Sequence, residues 1–409
     1  MAVRSVLVSG AGIAGLVFAY WARRHGLEPV VVERAPGLRA EGHGVDLRGA
    51  GREVVRRMGL EDAVRAAGTG EQGIAFTDWT GRTRARVGRE VFAGFGGEGP
   101  TAELEVLRGQ LATLIRDAAG PGVEWVFDDH IAAIDDRGSG PVRVRLAGGG
   151  SYEVDVVVAA DGIGSATRRL VFGEHDEQGR AWFRPVGVSL AYLTVPRRRG
   201  DGSWATWQHD PGGRSVILRP DPVGTTRAAL SFLAPPCLRG RDPDAQKALL
   251  TGRFIDVGGA APRVLDALAA ASEFYAEDVG QVRMPAWSRG RVVLLGDAGY
   301  CPSPISGMGT TLAVVGAAVL AGELARCPDP AAAFAAYEER MRPYVDRAQE
   351  LPPGTPYTGL PRTRWGIRVL HAALRATATP PLTGMMGRFL SPPAHTIDLP
   401  SHLTTAAHG

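Results

Sequence analysis

Apolar residues recur along this chain in two rhythms, and their alternation predicts the architecture. Val3–Ser9 is a short, nearly continuous apolar run, the pattern of a strand buried on both faces. A helical pattern follows from Ile13, and a second buried run, Val30-Val31-Val32, comes after it. Val154–Ala159 and Arg291–Leu295 have the same character. Such strands, separated by helical stretches, predict a parallel sheet covered on both faces. Ile74–Val87 alternates apolar and polar residues around Thr80-Gly81, which predicts a hairpin. Val123–Phe127 and Val142–Leu146 read as further strands. Between Phe183 and Phe232 the rhythm changes to short alternating strands: Val186–Val195, Trp204–Gln208, Ser215–Arg219 and Arg227–Phe232. Helices are expected over Arg52–Leu60, Glu105–Ala118, Gln246–Phe254, Val264–Ala271, Met308–Ala325, Ala331–Gln349 and Trp365–Ala376.

The junctions between these elements carry the chemistry. The first strand runs into Gly10-Ala11-Gly12-Ile13-Ala14-Gly15, and Glu33 closes the second apolar run. Strand, glycine turn, helix, strand and acid in this order form the dinucleotide-binding fingerprint. Gly10 permits the turn, Gly12 lets a pyrophosphate lie against the backbone, and Gly15 allows close helix–strand packing. The helix N-terminus offers free N–H groups to the phosphates. Glu33 would accept hydrogen bonds from a ribose diol and repel a 2′-phosphate, so the site suits FAD or NAD better than NADP. A second glycine match, Gly94–Gly99, lacks a preceding buried strand and reads as a decoy.

Composition narrows the field. The 409 residues allow two or three domains, and a net charge of +3 makes no case for nucleic acid as a partner. Lys247 is the only lysine and there is no asparagine, which argues against Schiff-base or P-loop lysine chemistry. Cys237, Cys301 and Cys327 are too widely spaced for a disulfide framework or a metal cluster and suit a reducing compartment. The nine histidines have no metal-ligand spacing, and no metal is expected. The first strand begins almost at Met1, so no signal peptide is expected. The run Thr311–Leu320 is short for a membrane span. A cytoplasmic protein is the expectation, as a monomer or a homodimer.

Three further junctions converge on a ligand. Arg108 stands at the start of a helical pattern, from which it could reach a pyrophosphate or ribityl chain. Asp161-Gly162 follows an apolar strand, with Ser165 and Arg168 just beyond; a helix cap is the competing reading. Gly296-Asp297 ends another buried strand, and Pro302–Thr310 then opens a long apolar helix. Asp297 is placed to hold a ribityl hydroxyl. The amides of Gly307–Gly309 sit at a helix N-terminus, where the negative charge of a reduced flavin is stabilised.

Together these residues resemble the flavin-dependent aromatic hydroxylases, the class A monooxygenases of the para-hydroxybenzoate hydroxylase fold. Gly44-Val45-Asp46-Leu47 and the Pro302–Thr310 loop look most like the tetracycline-inactivating and polyketide-tailoring members. The resemblance implies an α/β fold. A Rossmann-like FAD-binding domain (1–73, 100–178 and 281–349) would carry an inserted β-rich substrate domain (hairpin 74–99, sheet 179–280) and a C-terminal helical segment (350–409). Glu33 and Arg34 would bind the adenosine ribose. Asp46 and Arg108 would lie near the ribityl chain and pyrophosphate, and Asp161 beside them. Gly296, Asp297, Pro304, Gly307, Met308 and Gly309 would hold the ribityl chain and isoalloxazine. NADPH or NADH would reduce FAD from a transient surface site, and O2 would add to C4a of the flavin. The resulting hydroperoxide would hydroxylate an electron-rich aromatic or polyketide-like small molecule, in antibiotic biosynthesis or inactivation. Double-bond reduction of an isoprenoid and Baeyer–Villiger oxidation are the alternatives. No side chain is expected to be catalytic in itself. Trp207, Gln208, Arg219 and Met284 are the candidates for contact with substrate.

Overall fold

Strand register decides where the junctions meet. In the computed structural model, Ser5–Ser9 pairs in parallel with Glu28–Glu33 on one side and Val156–Ala159 on the other. Val292–Leu294 and Glu124–Phe127 extend the sheet at its two sides, also in parallel, and Ser288–Arg289 adds an antiparallel edge. Ser9 lies opposite Val32 and Ala159, and Ala159 lies opposite Leu294. Parallel strands in this register end together. Gly10, Glu33, Asp161 and Gly296-Asp297 therefore emerge along one edge of the sheet, where an open α/β sheet leaves its ligand crevice. The structure describes residues 3–38, 42–89, 104–138, 140–272, 274–377, 394, 396–400 and 403. The glycine run Gly94–Gly99 lies outside them.

Two glycines hold the helix Ile13–Arg24 against this edge. Gly10 has a φ of +104°, and a Cβ there would lie 2.6 Å from the Ala160 carbonyl oxygen. A Cβ at Gly15 would lie 2.0 Å from the Gly10 oxygen. Both positions exclude any side chain on contact grounds. The long helix Gly309–Arg326 packs behind, buried from Thr311 to Leu324. Among the described residues it is the one helix long and apolar enough to cross a membrane, but 78% of it is buried in the core.

The second sheet has seven strands, in the order Tyr275–Val282, Phe183–Pro196, Thr225–Leu233, Arg214–Pro220, Ala205–Asp210, Gly73–Thr77 and Thr83–Gly88. The Gly73–Gly88 hairpin thus joins strands more than a hundred residues later, pairing in parallel with Ala205–Asp210. Val216, Leu230 and Phe232 on the back face pack against Leu250, Phe254, Val264 and Leu268 of the helices Pro243–Phe254 and Ala261–Ala270. The front face turns toward the first sheet. Gln281 fixes that orientation: its Nε2 donates to the carbonyls of Pro302 (3.1 Å) and Gln349 (2.8 Å).

Several expectations are revised. The helix expected at Glu105–Ala118 begins only at Arg108, because Leu104–Leu107 pairs with Gly44–Leu47 as a two-stranded ribbon. The apolar run Val154–Ala159 is broken at Asp155, whose carboxylate accepts the N–H groups of Arg4 and Ser5. The strands Ile131–Asp135, Ser151–Val154 and Tyr275–Val282 have no counterpart in the sequence reading.

Candidate active site

The crevice begins at the glycine turn. Gly12 is the N-cap of the helix Ile13–Arg24, and no side chain caps its first turn, so that end is open to an anion. The Arg108 guanidinium reaches over it: a Cβ at Gly12 would lie 3.5 Å from Arg108 Nη2. Glu33 stands at the same turn. Its Oε2 accepts the Ala11 N–H (2.8 Å) and its Oε1 the Ala35 N–H (3.0 Å), which fixes the carboxylate while leaving lone pairs free. Arg34 is exposed beside it.

Asp297 opens the other end. It is enclosed by protein yet keeps accessible surface, the signature of a cavity wall. Burial raises its pKa, and the Cys301 thiol and the Arg108 charge partly offset the shift. Beyond it Ser303 (φ +82°) and Gly307 (φ +64°) shape a tight loop. The Ser303 hydroxyl accepts the Ile305 N–H, and Ser306 Oγ accepts the Met308 N–H. Pro304 is exposed, Met308 is buried, and a Cβ at Gly309 would meet open space. The Gly309–Arg326 helix has no side-chain cap, so its first amides are a second anion-favouring end.

Between these ends lie orphaned polar atoms. Asp46 Oδ2 pairs with Arg48 Nη2 at 2.6 Å, but Asp46 Oδ1 and Arg48 Nε and Nη1 are buried without partners. Arg48 approaches Gly307 and its N–H is held by Thr311 Oγ1 (3.1 Å), so the pair abuts the flavin-type loop. Two open helix ends, an arginine over the glycine turn and nearby unsatisfied donors and acceptors suit a dinucleotide such as FAD.

Asp161 has a different environment. Its Oδ1 accepts the Ser165 hydroxyl, and its Oδ2 accepts both the N–H and the hydroxyl of Thr167 at 3.0 Å. Its carboxylate is committed to the start of the helix Ala166–Phe172. Arg168, in that helix, donates to the Ala298 carbonyl at 2.6 Å and so ties Asp161-Gly162 to Gly296-Asp297.

Opposite the crevice, alternate residues of the second sheet form one face. Tyr275, Tyr192, Ala229, Ile217, Trp207 and Phe76 stand in register across it. Tyr192 stacks on His43 with ring centroids 4.3 Å apart, and burial with the nearby charges of Arg108 and Arg219 lowers the His43 pKa to about 4. Tyr275 donates to Glu277 Oε2 at 2.7 Å. Burial, with help from Asp297 and Asp278, pushes the Glu277 carboxyl up to about 7. This pair sits on the strand that Gln281 anchors to Pro302 and so faces the flavin loop. Sequence reasoning missed both residues.

The four substrate candidates separate. Arg219 is on the front face, where it pairs with Glu105 and lies 3.7 Å from Glu71. Trp207 is also on that face, but it is packed against Phe76 and His209 beside the helix Arg364–Thr377. Gln208 is a correction: it lies on the back, its side-chain amide spent on the Gly258 carbonyl (3.0 Å) and the Ala260 N–H (2.9 Å). Met284 is a second correction: it is buried at 3% exposure and lines a separate groove behind Tyr300.

Known proteins share this fold. The FAD binding domain family matches residues 4–350. A flavin-dependent monooxygenase of a Phoma species is 37% identical over 396 residues, covering 90% of each chain. A monooxygenase of Cercospora beticola is 36% identical over 387 residues, again covering 90% of each. The crystal structure of the tetracycline destructase Tet(55) superposes with a TM-score of 0.79 at 29% identity, covering 98% of this chain and all of that one. The chain belongs to this FAD-binding family, with the fold of the class A aromatic hydroxylases. It is an FAD-dependent monooxygenase.

Proposed function

We propose that this enzyme hydroxylates an electron-rich aromatic or polyketide-like small molecule in the cytoplasm, with O2 as oxidant and NADPH or NADH as reductant. The observation that carries this reading is a sheet face bearing Tyr192, Tyr275 and Glu277 that turns toward the dinucleotide crevice. Bound FAD supplies the electron transfer and the activation of oxygen. Gly12, Arg108, Glu33 and Arg34 hold its adenosine and pyrophosphate half. Asp46, Asp297 and the Gly307–Gly309 amides hold the ribityl chain and the polar edge of the ring.

The remaining residues prepare the substrate. Tyr192 and His43 form an apolar wall that stays uncharged at neutral pH, because the His43 pKa lies near 4. Glu277 titrates near 7, so it accepts a phenol or enol proton through the Tyr275 hydroxyl and makes the substrate carbon more nucleophilic. Arg219, on the same face, favours an anionic oxygen on the substrate.

The test is a panel of polycyclic phenols and enols, tetracycline included because Tet(55) shares the fold. A true substrate accelerates NADPH oxidation and carries one atom of ¹⁸O after turnover under ¹⁸O2. Label absent from every consumed compound overturns the hydroxylase reading.

A further inference from the structure

From Leu351 to Ile397 the chain carries five arginines and no aspartate or glutamate, although its net charge as a whole is only +3. Charge gathered in this way marks a region that meets an acidic partner. The helix Arg364–Thr377 lies within this segment. Its inner side is fixed on the substrate sheet. Ile367 and His371 are buried, and His371 Nε2 lies 3.0 Å from His209 Nδ1. Leu374 packs on the cluster of Ile74, Phe76, Ala85 and Val87. Just ahead of the helix, the Arg362 carbonyl accepts the Gly212 N–H at 2.8 Å. A helix anchored along one face is expected to turn a polar face to water. This helix does not. Trp365, Val369 and Ala372 recur at helical spacing on the outward side, with Trp365 73% and Val369 47% exposed. Tyr357, shortly before the helix, is exposed as well.

The charges stand beside this apolar stripe. Arg364, Arg368 and Arg375 are exposed along one flank of it. Arg364 and Arg368 lie over the Trp79 ring, 5.3 and 5.8 Å from its centroid, and Arg362 lies over the Tyr357 ring at 5.1 Å. Stacking on a ring holds a guanidinium in place without neutralising it. No carboxylate forms an ion pair with these four arginines among the described residues. Asp210, whose carboxyl feels the Arg364 charge, is engaged by Arg214 at 2.5 Å. An outward aromatic and aliphatic stripe flanked by unneutralised arginines suits a membrane interface. There the indole and the valine enter the headgroup boundary and the guanidiniums meet lipid phosphates. A second copy of this chain would instead bring the same arginines against one another across a two-fold contact, which repulsion opposes.

We propose that the outward face of the helix Arg364–Thr377 docks on the surface of a bilayer containing anionic lipids. Docking sets the Trp207–Phe76 end of the substrate sheet beside the membrane, because Phe76 packs against His371 of this helix. An apolar polycyclic compound concentrates there, a consequence that rests on the substrate class proposed above.

The test is co-sedimentation of the FAD-loaded enzyme with phosphatidylcholine vesicles, with and without phosphatidylglycerol. The enzyme sediments with the anionic vesicles and not with the neutral ones, and raised salt weakens the binding. Arg364→Gln/Arg368→Gln lowers partitioning about fivefold per arginine, the worth of one basic residue near an anionic surface. Trp365→Ala/Val369→Ala lowers it about tenfold or more. Both residues are exposed, so this double variant folds as the parent does, and equal melting temperatures and flavin contents confirm it. No sedimentation with the anionic vesicles, equal binding to both vesicle types, or binding unchanged in Trp365→Ala/Val369→Ala overturns the proposal. So does a dimer in solution that the same variant dissociates, because the face then belongs to a second copy. Vesicle binding by an enzyme that hydroxylates none of the panel compounds supports the docking surface and defeats the substrate class alone.

Discussion

Two parallel strands of the same sheet each run into an aspartate beside a glycine, yet the two aspartates have opposite surroundings. Asp161, after Val156–Ala159, receives both groups of Thr167 and the Ser165 hydroxyl, so the chain itself satisfies its carboxylate. Asp297, after Val292–Leu294, has among the described residues the Cys301 thiol and the field of Arg108 to offset its burial. A half-buried carboxylate that accepts three internal hydrogen bonds is satisfied by the chain itself. One left short of donors has lone pairs to offer a ligand's hydroxyl groups. The strand-end motif alone does not separate these roles; the residues that follow it do. Ser165 and Thr167 sit at the spacing of a helix start after Asp161, whereas Ala298 and Gly299 follow Asp297 and offer no side-chain donor.

The sharpest way to break this comparison is Asp297→Ala. FAD affinity should fall by about one to two powers of ten, the worth of hydrogen bonds to a buried charge. The flavin-to-protein ratio after gel filtration measures it. Full flavin retention would remove Asp297 from the cofactor site. Glu277→Gln keeps the shape of the cavity but abolishes the titration near 7, so turnover should fall about a hundredfold and lose its rise between pH 6 and 8. An unchanged pH profile of kcat would return Glu277 to a packing role. Asp161→Ala should leave FAD binding within a few-fold of the parent while costing about 1–3 kcal/mol of stability, because the helix start loses its acceptor. Denaturant unfolding of the FAD-loaded protein measures the cost, and a loss of flavin as deep as that of Asp297→Ala would contradict the division drawn here.

The smallest effect is on the pH dependence of stability. Glu71 is buried at 5% exposure, and burial raises its carboxyl to about 7, with Arg219 opposing and Glu105 and Asp46 assisting. A folded-state pKa above the ordinary 4.5 means that the protonated form favours folding. That contribution is complete below pH 4.5 and is lost as pH rises through about 7. The melting temperature should therefore fall from pH 5 to pH 8, and Glu71→Gln should lessen the fall. A parallel loss in both proteins would exclude Glu71 as its source.

The crevice was legible in the sequence because its rules are local. Gly10 and Gly15 are required by backbone approach, and Glu33 and Asp297 stand at strand ends. The sheet face was not. Tyr275–Val282 carries Glu277 and Gln281 on the front and Asp278 on the back, so neither face is apolar and the alternation that marks a strand is hidden. Its polarity comes from tertiary partners: Gln281 serves Pro302 and Gln349, and Asp278 caps the backbone of Cys237, Leu238 and Arg239. Gln208 misled for a related reason. Its neighbours Trp207 and His209 point to the front, and the two-residue period of the strand sends it to the back, toward a loop fifty residues away.

The most direct measurement is the visible spectrum of the purified protein before and after anaerobic addition of NADPH. The two-band spectrum of oxidised flavin should bleach and then return when oxygen is admitted. A colourless protein that takes up no added FAD, or a bound flavin whose spectrum NADPH leaves unchanged, would contradict the account.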